Sequence, residues 1–181
     1  REGRKFLAGY SDEQKPNDAD DGWSLQCGSI HLRKTGLHPF VRIVIPLNQD
    51  YRILTKAARM IADNVEVRSG HGGLAFTYDP WTESGSLDII YAQARRFWGV
   101  EVEEITKTLP LMKDGIKSVN WLTLIGPEFT SRPEIQASLA ELAKEPDVVI
   151  EPRKHASLLI AGPQPVEGDQ HRPDQSLAPY D

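Results

Sequence analysis

One histidine in this chain stands among glycines, in Arg68-Ser69-Gly70-His71-Gly72-Gly73-Leu74-Ala75-Phe76. Two kinds of chemistry use such a stretch. A dinucleotide site uses G-x-G-x-x-A as the turn between a strand and a helix, so that pyrophosphate meets the helix N-terminus. Here a helical pattern precedes the glycines and a strand pattern follows, so the order is reversed and the match is set aside. An esterase uses His-Gly-Gly as an oxyanion loop, but its nucleophile sits in a G-x-S-x-G elbow. No such elbow occurs in the 181 residues. His71 therefore reads as a hydrogen-bonding residue at the start of a strand, and a small hydrolase built on it is the rival to any binding function.

The other candidates for chemistry are thinner. His31, His38, His155 and His171 show no H-x-H or H-E-x-x-H spacing, and Cys27 is the sole cysteine. The usual zinc cages and an intrachain disulfide are both excluded, and no metal or cofactor is expected. Asp18, Asp20 and Asp21 crowd together without the glycine and distal glutamate of a calcium loop. Glu101, Glu103 and Glu104 read as a solvated run after a helix rather than a catalytic cluster. Trp81, in Asp79-Pro80-Trp81-Thr82-Glu83, has two readings: an anchor for a partner's pocket, or a lid on this chain's own core.

Composition narrows the function. Hydrophobic residues make up 39% and charged residues 26%, ordinary for a globular domain. The net charge of −5 argues against nucleic-acid binding, which needs clustered positive charge, and permits a basic partner. No apolar run approaches the ~18 residues of a membrane span, and no signal peptide is visible. The chain opens on Arg1 rather than Met, as a fragment would.

The organising element is Val119-Asn120-Trp121-Leu122-Thr123-Leu124-Ile125-Gly126-Pro127, bulky on both faces and closed by Gly-Pro. Such a run predicts a central strand buried from both sides. Trp23 to Leu32 and Phe40 to Ile45 read as an antiparallel hairpin turning at Thr35-Gly36-Leu37. A helix runs to about Asn64, capped by Asn48 or Asp50, with Ile53, Leu54, Ala57, Ile61 and Val65 inward and Arg52, Lys56, Arg59 and Asp63 on the wet side. The glycine stretch leads into a strand, its glycines serving positive φ or close approach. Leu87, Ile90, Tyr91, Ala94, Phe97 and Trp98 give the strongest helical stripe, stopped by Gly99. Ser131-Arg132-Pro133-Glu134 reads as a capping box for a helix with Ile135, Leu139, Leu142 and Ala143 inward. Val148–Ile150 and Ser157–Ile160 are final strands.

Residues 1–22 form a polar, acidic segment, with Arg4-Lys5-Phe6-Leu7 as a frayed helix end, and residues 164–181 a coil tail. The expected fold is α+β: a single domain over 1–163, with a largely antiparallel sheet and about three helices packed on it.

The glycine stretch, Asp114-Gly115-Ile116-Lys117-Ser118 running on into Val119–Gly126, and Ala161-Gly162-Pro163 with Gly168-Asp169-Gln170-His171-Arg172 together resemble the bacterial type VI secretion immunity family, once a domain of unknown function. Order and spacing agree from about Phe40 to Arg172, and the Asn-Trp-Leu-Thr core is the specific part. The resemblance implies a cytoplasmic protein that binds and neutralises a cognate toxic effector, a nuclease of the restriction-endonuclease type. It implies no catalytic residues, and gives Gly70, His71, Gly72, Asn120, Trp121 and Gly126 structural parts. Relatives of this kind usually carry more sequence before the first strand and often a further helix near Tyr180.

An acidic protein is steered toward a nuclease's basic cleft. The two acidic loops, with Asp18, Asp20 and Asp21 in one and Asp79, Trp81 and Glu83 in the other, are the expected contacts. A peptide-binding module that adds a strand at a sheet edge is the third class.

Overall fold

The computed structural model describes residues 7–11, 23–32, 36–76, 85–102, 112 and 115–171. Chain contacts divide it into two units, Arg1–Tyr51 with Glu104–Gly115, and Arg52–Glu103 with Ile116–Asp181. The fold is α+β with largely antiparallel sheets.

The first unit holds β1 (Leu7–Ser11), β2 (Ser24–Leu32) and β3 (Gly36–Val44) in an antiparallel meander, ordered β1-β2-β3. The expected hairpin is present, with Ser24 opposite Val44 and Leu32 opposite Gly36. Leu7, expected at a helix end, instead begins β1, because β2 offers an edge whose hydrogen bonds a five-residue segment can complete. Pro39 is tolerated because β3 is the other edge of the sheet.

The second unit runs α1 (Arg52–Asn64), β4 (Ser69–Gly72), β5 (Leu74–Phe76), α2 (Gly85–Arg96), β6 (Val100–Val102), β7 (Leu122–Ile125), α3 (Pro127–Thr130), α4 (Pro133–Leu142), β8 (Val148–Pro152) and β9 (Ser157–Ala161). An antiparallel sheet is ordered β4-β7-β9-β8, so β7 lies inside it, and all four of its residues are buried. The register shows why. Thr123 and Ile125 face the same side as Leu159 and Ile150, where Phe129 of α3 and Ile135 and Leu139 of α4 complete a core. Leu122 and Leu124 share the opposite side with Leu158, and α1 packs against β7 and β9. Helices on both faces explain why both sides of β7 are buried, Thr123 with its hydroxyl hydrogen-bonded to Asn120.

Several local expectations need correction. On α1 the buried line is Thr55, Ala58 and Ala62, while Val65 is exposed. Small side chains at the centre of the contact let the helix approach the sheet closely, and the larger ones fill the flanks. Arg59 and Asp63 are not simply wet. Arg59 makes a bidentate pair with Glu151 at 2.6 and 2.9 Å, Arg153 pairs with Asp63, and the His155 amide donates to the Ala62 carbonyl at 2.8 Å. These contacts fasten the β8–β9 turn to the end of α1.

The capping box does not form either. Arg132 is the N-cap of α4 with no side-chain cap bond, Pro133 opens the helix, and Ser131 terminates α3, donating to the Glu128 carbonyl. The two proline-started helices are too close together for Ser131 to serve the second. Leu142 and Ala143, expected inward, are exposed at the helix end.

A further strand was missed. β6 pairs in parallel with β5, Leu74 opposite Val100 and Phe76 opposite Val102, and α2 lies between them in the chain. Three residues are too few to show a period.

Candidate functional site

The acidic candidates Asp18, Asp20, Asp21, Asp79, Trp81 and Glu83 lie outside the described residues. The six motif residues lie within them, gathered around the start and end of β7. Asn120 opens the strand with a closed set of bonds. Its Oδ1 accepts from the Trp121 amide at 2.8 Å, its amide donates to Thr123 Oγ1 at 3.0 Å, and that hydroxyl donates back to the Asn120 carbonyl at 3.1 Å. With Asn120 7% exposed, these bonds satisfy polar groups that water cannot reach.

Gly70, His71 and Gly72 form most of β4, where His71 stands opposite Thr123. None of these glycines has positive φ; among the described residues only Gly162 and Gly168 do. Close approach explains Gly73 instead, since a Cβ there would sit 2.1 Å from Asn120 Oδ1.

The surface that stands out was not singled out by the residue patterns. Ile90, Ala94 and the following Phe97 are half-buried, as the stripe predicts, and so are Gln93 and Arg96. Tyr91 and Trp98 are not inward: they are 67% and 65% exposed. The reason is the partner available to α2. It packs against β6, in a two-stranded sheet too small to cover so wide a stripe. Trp98 and Ala94 instead line a groove of about 310 Å³ with Val100, Val102 and Val119, the last 57% exposed. Tyr91 is one turn before Ala94 on the same helical face.

The polar lining of the groove is ordered. Glu101, expected in a solvated run, is on β6; its carboxylate meets Lys117 Nζ at 3.0 Å and accepts from Ser118 Oγ at 2.9 Å. Lys117 also donates to the Val102 carbonyl at 3.3 Å. Asn120 completes the wall, and His71 is not among the lining residues. Among the described residues no group of three or more His, Cys, Asp or Glu side chains is arranged to hold a metal ion.

Residues 164–171 hold no helix or named strand but are anchored at the groove's rim. Phe97 and Asp169 form a β-bridge, the Trp98 amide donates to the Gly168 carbonyl at 3.1 Å, and the Gly99 amide to that of Glu167 at 2.9 Å. Gly99 is therefore not a left-handed helix stop. A Cβ on it would meet the Val166 carbonyl oxygen at 2.0 Å. Asp169, buried, takes a bidentate pair from Arg96 at 2.9 and 2.7 Å and the His171 amide at 3.0 Å. The Arg96 hydrogen bonds, against the opposing effect of burial, hold the Asp169 carboxyl far below the usual aspartate range.

A carboxyl depressed in the folded state adds stability above its unfolded value of ~3.9 and loses it as pH falls toward the folded one. Asp169→Asn should therefore speed hydrogen exchange of the Trp98 and Gly99 amides at pH 7. The gap in urea midpoint between wild type and variant should close as pH drops below about 4. A pH-independent gap would show that the ion pair is not what holds the segment.

No curated protein sequence gives a significant match. A solved structure, the Pseudomonas aeruginosa T6SS protein PA0821, is similar over 98% of this chain with a TM-score of 0.69 and 21% identity. The likeness is one of fold, and this chain spans about half of that one, 53% of its length. No described helix is long and apolar enough to cross a membrane. A family model described as TsiV, type VI immunity for VRR-NUC, matches residues 41–180, which take in β4, the Asn120–Gly126 motif and Asp169; the chain belongs to this family.

Proposed function

We propose that this chain is the immunity partner of a VRR-NUC nuclease toxin, binding it in the cytoplasm and neutralising it without chemistry of its own. The observation that carries the reading is the family match over residues 41–180. The charge supports it. A nuclease gathers cationic groups to hold phosphates, and a chain of net charge −5 is steered toward such a surface. Colicin nucleases and their immunity proteins reach Kd values of ~10⁻¹³ M and below, an affinity at which occupancy alone neutralises a toxin. The chain acts by blocking the nuclease cleft or by holding the enzyme inactive from outside it.

Co-expression with the nuclease tests this directly. Cells making the toxin alone should die with degraded DNA; cells making both should survive, and the two proteins should co-purify. Persistent killing at equal expression would sink the proposal. The acidic loops are proposed as steering contacts. Reversing Asp18, Asp20 and Asp21 to lysine should slow association about tenfold at low salt, with the difference shrinking as salt rises. An unchanged association rate by surface plasmon resonance would remove that loop from the interface.

A further inference from the structure

We infer that the groove lined by Trp98, Glu101, Val119 and Asn120 is where the nuclease anchors, and that it takes an arginine side chain of the toxin. The inference rests on the immunity reading and assigns that reading a surface. Globular domains seldom leave a tryptophan and a valine exposed around one concavity, and tryptophan dominates the centres of protein interfaces. The volume is at the low end for ligand sites, fitting one long side chain better than a cofactor.

The chemistry of the lining selects the occupant. An indole face beside a carboxylate suits a guanidinium, which stacks on the ring and pairs with the oxygens at once. Glu101 uses two acceptor positions, on Lys117 and Ser118, of about four that a carboxylate offers. Asn120 lines the groove as a buried wall residue, its Oδ1 held by the Trp121 amide.

This fold already builds such a cradle and fills it from within. Arg68 lies 5.0 Å over the Phe129 ring and pairs with Glu128 at 2.8 and 3.0 Å, while Arg132 lies 4.6 Å over the same ring. A carboxylate serving two cations is also a local habit. Glu128 serves Arg68 and Arg132, and Glu151 serves Arg59 and Arg153. Glu101, already paired with Lys117, lines the same groove as Trp98 and offers its remaining acceptor positions there. A nuclease surface rich in arginine is the partner whose charge fits it.

The test is calorimetric titration of the intact chain with the catalytically inactivated VRR-NUC nuclease that it protects against. Trp98→Ala should raise Kd about thirtyfold or more, with an unchanged melting temperature because the ring is solvent-exposed. Trp98→Leu, which keeps apolar bulk but no π face, should lose nearly as much. Trp98→Phe should retain most of the affinity. Glu101→Gln should weaken binding about tenfold, with the loss fading at high salt.

If wild type binds and protects while Trp98→Ala stays within threefold of it, the groove is not the anchor although the immunity reading stands. Retained affinity in Trp98→Leu overturns the arginine assignment. A self-association of this chain abolished by Trp98→Ala, with nuclease affinity intact, makes the groove a dimer contact and also overturns the inference. Wild type that neither binds nor protects defeats both readings.

Discussion

Trp121→Ala is expected to cost about 3–5 kcal/mol, the range for emptying a buried tryptophan site. Folded domains hold about 5–15 kcal/mol in total, so the second unit would be close to unfolding at room temperature. The ring is 1% exposed, so little of its volume can be refilled by water or by a surface side chain. Its Nε1 donates to the Gly162 carbonyl at 3.2 Å, and the Trp121 carbonyl accepts from the Ala161 amide at 2.8 Å. Trp121 thus ties the approach to β7 to the exit of β9, where Gly162 turns the chain at a φ of 80°. Trp121→Phe separates the contributions. It keeps an aromatic ring, forfeits the indole bond and part of the packing, and should cost about 1–2 kcal/mol. Urea denaturation followed by circular dichroism reads both, and an alanine variant with a wild-type midpoint would show that the residue is not the tie described.

Gly126→Ala should be nearly as damaging, about 3 kcal/mol or more, although it adds one methyl group. The backbone at Gly126 is extended, φ −76° and ψ 170°, a conformation any residue can take. Space is what forbids the change. A Cβ would lie 1.8 Å from the Val67 carbonyl oxygen and 2.7 Å from that of Arg68. Both are main-chain atoms, and the Gly126 amide itself donates to the Arg68 carbonyl at 2.9 Å, so relief requires pulling β4 away from β7. Gly72→Ala is the control. Its Cβ would come no nearer than 3.5 Å to its nearest neighbour, the Leu122 side chain, an ordinary contact, and the change should fall within about 0.5 kcal/mol of wild type. Equal losses at the two positions would mean that strand propensity, not the approach of the β4 backbone, governs this region.

Much of the second unit was legible because its signals are local. The residues of β7 are bulky on both faces, apolar but for Thr123, which burial on both sides explains, and β8, β9 and the hairpin β2–β3 announce themselves by short β-rich runs between turns. β6 was invisible because three residues carry no period, and β1 because a short polar-flanked segment becomes a strand only when a neighbour presents a free edge.

The candidate site divides in the same way. The motif around Asn120 and Trp121 could be recognised as a unit from its residue types, whereas the exposure of Tyr91 and Trp98 could not. Their spacing along the helical stripe says that they share a face with Ala94 and says nothing about how much surface lies opposite. That is set by β5 and β6, which arrive from separate parts of the chain and make a sheet of two strands. Residue order alone determined the family, the negative charge and the doubly covered strand, since these depend on side-chain type and spacing along the backbone. Tertiary structure decided which aromatic rings remain in water and where Glu101 meets Lys117, because burial is a property of what distant segments bring to the same place.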